Sequence, residues 1–213
     1  MIALTDTQKH IDKIKSLMWK QVEDHPLGSP QYFCSFNYGY AFNGGVLSQE
    51  EFNMRWDIKK VKSTHAFINK LLRKTFGENL PIWWFIHNHS DSVDNEGNTI
   101  KGRFHSHMIM GSISDDAIEC PSPYLMPLFY HEDECGVPIN CRPVDAENMK
   151  TLLLSACIRQ SKWVGRHPKA LKVDNVPPQE MEQVFHYCAR HFTSSLEQMD
   201  NLIDWENSSY YKP

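Results

Sequence analysis

The feature that most constrains this chain is a short apolar stretch with two histidines, Arg103–Gly111 (RFHSHMIMG). Its length, its apolar content and the bounding glycines Gly102 and Gly111 predict a β-strand. Side chains two residues apart in a strand point to the same side. We therefore expect His105 and His107 to project together, and two imidazoles on one rigid strand are suitable ligands for a divalent metal.

A second pair, His87 and His89, ends the apolar run Ile82–Ile86. The polar residues 90–102 join the two runs, which predicts a hairpin with up to four imidazoles near one end of a sheet. The alternative is that these histidines lie in the core or on a solvated surface. If they form a metal site, the third ligand is His87 or His89, and we favour His87 because the strand fixes it better.

Composition bounds the class of protein. The chain has 213 residues, 41% of them hydrophobic and 23% charged, which predicts a single globular domain over residues 1–213. A formal charge of −4 argues against a protein that coats nucleic acid non-specifically, although a local basic surface remains open. The sequence lacks a long apolar run and a secretory signal, so we expect a cytoplasmic protein without a membrane partner.

The six cysteines are scattered, which is typical of reduced thiols in a cytoplasmic protein. Three of them lie with a histidine in one proline-rich stretch: Cys120, His131, Cys135 and Cys141. A structural zinc ion is one interpretation of this group. The stretch has no Cys-x-x-Cys pair, however, and such spacing is usual in zinc sites.

Periodicity and capping signals predict the remaining elements. In chain order we expect a helix at 3–23 within an N-terminal segment 1–28, a strand at 31–42, a helix at 48–76, strands at 80–86 and 103–110, a loop or insertion at 112–143, helices at 145–161 and 179–194, and a frayed tail at 200–213. A Ser48–Glu51 capping box begins the long second helix. The pattern indicates an α+β fold, a central antiparallel sheet flanked by helices.

Two basic regions are candidate DNA-binding surfaces. One is the charged side of the long helix, including Lys59 and Arg73; the other is a stretch with an aromatic residue, comprising Lys162, Trp163, Arg166 and Lys169. Cations contact phosphates, and an aromatic ring can stack on a base. For the long helix we favour an ordinary solvated face over a phosphate-contacting one, and for the second stretch both interpretations stay open.

Two segments resemble those of a known family. Phe104–Met110 (FHSHMIM) resembles the metal-binding strand of the HUH endonucleases, and Tyr187–Phe192 (YCARHF) resembles their tyrosine helix, in which a lysine follows the tyrosine three residues later. The family includes the rolling-circle replication initiators (Rep proteins) of plasmids and phages. The resemblance covers residues 32–192 and implies an HUH/Rep-like sheet, related to the ferredoxin-like and RRM folds.

Two positions depart from the family pattern. Ser106 stands where a bulky apolar residue is usual, and Arg190 stands at the lysine position. The third ligand is commonly an acid, a histidine or a glutamine, and here His87 or His89 is at that place. Arg190 keeps the positive charge but, being always protonated, does not donate a proton as lysine can.

The resemblance implies sequence-specific, metal-dependent nicking and rejoining of single-stranded DNA. Tyr187 would attack a phosphodiester to leave a 5′-phosphotyrosine and a free 3′-OH, with Arg190 or His191 on the same helix face stabilising the phenolate or the phosphate. The expected cofactor is a divalent cation, Mn²⁺ or Mg²⁺, with Co²⁺, Ni²⁺ and Zn²⁺ also possible. The expected partners are single-stranded or hairpin origin DNA and a host helicase and polymerase, since no Gly-x-x-x-x-Gly-Lys phosphate loop is present.

Three alternatives stay open. A DNA-binding regulator would keep the fold without cutting, and a metal-dependent hydrolase would activate water at the histidines with Tyr187 only structural. A zinc-stabilised interaction module would use the cysteine-rich stretch. Tyr187 falls on the apolar stripe of its helix, so a half-buried structural ring is the competing interpretation of that residue.

Overall fold

The computed structural model describes residues 6–24, 30–41, 45–77, 79–88, 92–93, 99–100, 103–111, 130–132, 138–141, 146–159, 169–190 and 203–209. In chain order its elements are α1 (Asp6–Glu23), β1 (Pro30–Asn37), α2 (Gln49–Arg55), α3 (Ile58–Phe76), β2 (Ile82–Asn88), β3 (Ser92–Val93), β4 (Thr99–Ile100), β5 (Phe104–Gly111), β6 (Tyr130–Glu132), β7 (Pro138–Cys141), α4 (Ala146–Arg159), β8 (Leu171–Asn175) and α5 (Pro178–Cys188). None of these described helices combines the length and the apolar character needed to cross a membrane.

Four strands form an antiparallel sheet in the order β2-β5-β1-β8. Helices pack around this sheet, so the predicted α+β class with a central antiparallel sheet is confirmed. The two histidine-bearing segments, β2 and β5, are direct neighbours as predicted. The edge strand β8 was not predicted, because Lys172 and Asp174 gave it the appearance of a charged surface stretch.

The alternation of side chains divides the core into two layers. On one face of the sheet, β1, β2 and β5 pack against α2, α3 and α4; the buried strand residues there include Phe36, Trp84, Met108 and Met110. On the opposite face, Trp83, Phe85 and Ile109 pack against α1 and α5. A strand with both faces covered has few positions left for polar side chains.

The helix predicted at 48–76 is two helices. The predicted capping box is present, with the Ser48 side chain accepting from the backbone of Glu51, but α2 ends at the extended residue Trp56. Asp57 then caps α3, its side chain accepting from the backbone N–H of Lys60 at 2.7 Å. The prediction of one helix was wrong because Asp57 satisfies orphan N–H groups and begins a new helix in the middle of an apolar pattern.

The segment 203–209 lies along the edge of the sheet. Residues 203–209 follow β2, with backbone hydrogen bonds from Asp204 to Trp84 (3.2 Å) and from Ser209 to Ile82 (2.6 Å). Side chains add to this pairing, since Ser208 Oγ accepts from the N–H of Trp84. The predicted fraying of the tail is therefore wrong for these residues, which satisfy the edge of β2.

Little of the predicted loop or insertion at 112–143 is described. It contains a short antiparallel hairpin of β6 and β7, and another hairpin of β3 and β4 lies between β2 and β5. The question of a zinc ion falls outside the described residues, which exclude Cys120 and Cys135. Two other cysteines, Cys34 and Cys188, are free and buried, and burial raises the pKa of both thiols.

Candidate functional site

Three histidines converge on the sheet face covered by α1 and α5. His87 and His105 are cross-strand partners, and His107 lies two residues further along β5. All three are buried. The alternation that placed His105 and His107 on one side, and the hairpin that brought β2 beside them, were both readable from the sequence.

The three imidazoles form a nearly equilateral cluster. The ring centroids are 5.0 Å apart for His87 and His105, 4.6 Å for His87 and His107, and 4.9 Å for His105 and His107. One nitrogen from each ring lies within 4.8 Å of the other two. The cluster is thus close enough to bind one metal ion, and an imidazole donor set fits a divalent transition metal.

Two of the rings are oriented by partners on other elements. Nε2 of His87 donates to the backbone carbonyl of Cys188 in α5 at 2.6 Å. Nδ1 of His107 lies 2.9 Å from Oγ of Ser35 in β1. Such bonds to the second nitrogen fix the ring and its tautomer, which is the usual arrangement around a histidine metal ligand. They make Nδ1 of His87 and Nε2 of His107 the candidate ligand atoms.

Tyr187 lies beside the cluster. Its ring centroid is 5.3 Å from that of His107 and 6.4 Å from that of His87. The side chain is 43% exposed, so the phenol is accessible to a substrate. The Arg190 guanidinium carbon lies 4.1 Å from the centre of the Tyr187 ring, within the range of a cation–π contact.

The position of Tyr187 follows from the packing of α5. Met181, Phe185 and Cys188 form its buried side, and the Phe185 ring contacts Phe85 of β2 at 5.9 Å between centroids. Tyr187 is therefore not on the buried stripe, contrary to the sequence pattern. This helix delivers both an exposed phenol and a backbone carbonyl to the histidines.

Two of the predicted DNA-binding residues, Lys59 and Arg73, do not lie at the cluster. Lys59 and Arg73 belong to α3, which packs on the opposite face of the sheet. Arg73 also donates to Oγ of Ser209 at 2.9 Å, and Lys169 is an exposed residue just before β8. The role of these cations in binding DNA stays a prediction.

Several predicted site residues lie outside the described residues. These are the alternative ligand His89, the candidate His191 and the basic stretch Lys162, Trp163 and Arg166.

Sequence reasoning missed the residues that support the cluster. Ser35 and Phe33 of β1 contact His107, the latter with its ring stacked at 5.1 Å and 27°. The signal that would have found them is the register of β1 against β5, which no local pattern specifies.

Comparison with protein-family models, with curated proteins and with solved structures finds no significant match to this chain.

Proposed function

We propose that this protein is a metal-dependent, HUH-type endonuclease that nicks and rejoins single-stranded DNA through Tyr187. The observation that carries the proposal is the exposed phenol ring 5.3 Å from the ring of His107, within a cluster of three histidines. The convergence of these groups supports a shared chemical task.

His87, His105 and His107 would hold the metal ion. When bound, the ion would supply positive charge to the non-bridging oxygens of a phosphate and orient it. Three imidazoles favour Mn²⁺, Co²⁺, Ni²⁺ or Zn²⁺ over Mg²⁺, which prefers oxygen ligands.

Tyr187 would act as the nucleophile. Its phenol oxygen forms a bond to phosphorus while the bond from phosphorus to the 3′ oxygen breaks, and the phenol proton passes through water to the leaving oxygen. The products are a 5′-phosphotyrosine and a free 3′-hydroxyl, and the reverse reaction rejoins the strand. Arg190, 4.1 Å from the ring centre, would stabilise the negative charge that develops on the phenol and the phosphate.

With this activity the protein would act at a replication or transfer origin, in the cytoplasm. A free 3′-hydroxyl is a primer for a polymerase, and a covalently held 5′ end is available for rejoining. Strand separation would come from a separate helicase. The substrate would be single-stranded or hairpin DNA.

A covalent-adduct assay tests the proposal. The purified protein is incubated with Mn²⁺ and a fluorescent random-sequence library of single-stranded DNA, and then run on a denaturing gel. We expect a slower-migrating, fluorescent protein band that Tyr187→Phe abolishes and Tyr40→Phe leaves unchanged. His105→Ala should abolish the band as well, because the metal ligand is lost.

Other outcomes distinguish the alternatives. Cleavage without any covalent band would identify a hydrolase that activates water. DNA binding with neither cleavage nor a band would identify a regulator. A band that persists in Tyr187→Phe would contradict the role of Tyr187.

A further inference from the structure

A chain of buried polar side chains lies on the reverse face of β5, directly behind the histidine cluster. Ser106, between the two histidines of that strand, has its Oγ 2.8 Å from Nε2 of His65 in α3. Nδ1 of His65 is 2.7 Å from Oδ2 of Asp204 in the C-terminal segment. The hydroxyl of Tyr38 donates to Ser106 Oγ at 2.9 Å.

The donor and the acceptor of each hydrogen bond in this series of side chains follow from their chemistry. A carboxylate only accepts, so Nδ1–H of His65 donates to Asp204 and Nε2 is left to accept from the Ser106 hydroxyl. Asn207 donates to the same Asp204 oxygen at 2.8 Å. The His65 ring also stacks on Trp84 of β2, with 3.9 Å between ring centroids and 9° between planes, which fixes its orientation.

The surroundings of Ser106 are otherwise apolar. Its cross-strand partners are Phe36 and Ile86, and Met108 follows it on the same face of β5. A buried hydroxyl without a hydrogen-bond partner destabilises the folded protein. An apolar side chain would fill this position without that requirement, so this polar chain points to a role beyond packing.

The hydrogen-bonded series Asp204–His65–Ser106 is not a second active site. A carboxylate, an imidazole and a hydroxyl in series also form the relay of serine hydrolases. Here Ser106, His65 and Asp204 are all 0% exposed, so a substrate does not reach the hydroxyl.

We propose that the Asp204–His65–Ser106 chain is a positioning device for the metal ligands His105 and His107, an inference that rests on the proposed metal site. Ser106 shares its two peptide bonds with these ligands, and its side chain points to the opposite face. Holding its Oγ resists rotation of β5 about its axis, and such rotation would swing both imidazoles. The C-terminal segment thereby contributes to the metal site without contacting it.

Metal affinity measured with Co²⁺ tests this device independently of any DNA reaction. The full-length protein is titrated with Co²⁺, and the affinity and the ligand-field absorption spectrum are recorded for each variant. Ser106→Ala removes only the hydroxyl, and we expect about a tenfold loss of affinity together with an altered spectrum. Ser63→Ala is the control, because it removes an exposed serine hydroxyl from the same helix as His65 and should change neither quantity.

Asp204→Ala tests whether the chain acts as a unit. We expect it to lower Co²⁺ affinity in the same direction, and the double variant with Ser106→Ala should lose little more than either single variant. If Asp204→Ala does not fold, Asp204→Asn replaces it. Tyr38→Phe keeps the ring and removes the hydroxyl that donates to Ser106. It should also lower the affinity for Co²⁺.

The outcomes separate this inference from the proposed function. Normal Co²⁺ affinity and spectrum in folded Ser106→Ala and Tyr38→Phe would overturn the positioning role and leave the metal site intact. Fully additive losses in the double variant would also overturn it. If the unmodified protein does not bind Co²⁺, both the metal site and this inference fail.

Discussion

Ser35 links the central strand β1 to the histidine cluster. Its Oγ, 2.9 Å from Nδ1 of His107, restrains the imidazole that lies nearest to the Tyr187 ring. Loss of a partner of this kind typically weakens metal binding at least tenfold. We therefore expect Ser35→Ala to reduce Co²⁺ affinity about tenfold, measured by titration of the full-length protein.

Ser63→Ala is the matched control, since Ser63 is exposed on α3, the helix on the opposite face of the sheet. It should leave Co²⁺ binding unchanged. Equal affinities for Ser35→Ala and the unmodified protein would show that other contacts, such as the Phe33 ring, fix His107 sufficiently.

The sequence predicted most of the candidate site at this scale but little of its support. His105 and His107 were predicted to share a side because a strand has a two-residue period, and His87 followed from the hairpin. Ser35 and the Cys188 carbonyl were not predictable, because each depends on how distant segments align. A strand register and a helix position are set by the whole core.

At the scale of the element, the break between α2 and α3 is the clearest departure from prediction. The apolar pattern continued through Trp56, whose ring packs 4.6 Å from that of Tyr38. That packing holds Trp56 in an extended conformation, and the next residue begins a new helix. Local periodicity cannot distinguish one amphipathic helix from two that share the same buried side.

The cap of α3 makes this break testable. Asp57 accepts from the backbone of Lys60 at 2.7 Å, and losing an N-cap typically costs about 1 kcal/mol. We expect Asp57→Ala to lower the free energy of unfolding by about 1 kcal/mol in urea denaturation. Asp57→Asn keeps a capping oxygen and should remain close to the unmodified protein; equal loss in both variants would contradict a capping role.

The edge elements were predicted least well, and for a common reason. β8 is five residues long with two charged positions, and the segment 203–209 is polar, so neither has a strong apolar period. Both are nevertheless fixed by hydrogen bonds to strands that the core already places. Their structure depends on a neighbour and is therefore weakly encoded locally.

At the scale of the whole molecule, the sheet separates two polar systems. The histidine cluster and Tyr187 lie on the face with α1 and α5, while His65 and Asp204 lie on the face with α3. The basic helix α3 is thus on the opposite face of the sheet from the cluster. Because the net charge of the protein is −4, any DNA binding would be confined to a local basic surface.

Buried His65 should make stability depend on pH. Burial lowers its pKa, and the hydrogen bond with Asp204 opposes this without cancelling it. Below its ordinary pKa of about 6.5, the unfolded chain binds a proton that the folded protein excludes. The free energy of unfolding should fall as the pH drops below that value, by up to about 1.4 kcal/mol per pH unit from this residue.

Asp204 affects the free energy of unfolding at lower pH than His65 does. Burial tends to raise its pKa, but the hydrogen bonds from His65 and Asn207 outweigh burial, so the pKa is lowered. Its contribution to stability is lost only as the pH falls through that lowered value.

Urea denaturation of metal-free protein across the pH range measures the effect of His65. His65→Gln should show a shallower decline toward acid pH, because the other histidines remain in both proteins. Equal slopes in the two proteins would contradict the assignment.

The strict alternation along β5 has a consequence for how this gene can vary. One inserted or deleted codon between Phe104 and Gly111 would exchange the two sides of the strand downstream of it, turning imidazoles toward the face covered by α3 and methionines toward the face that carries Tyr187. Evolution of this strand is thus restricted to amino-acid substitutions, because insertions and deletions break its alternation. Natural variants that differ here by a single-residue gap should have lost the proposed activity altogether, whatever residues they retain.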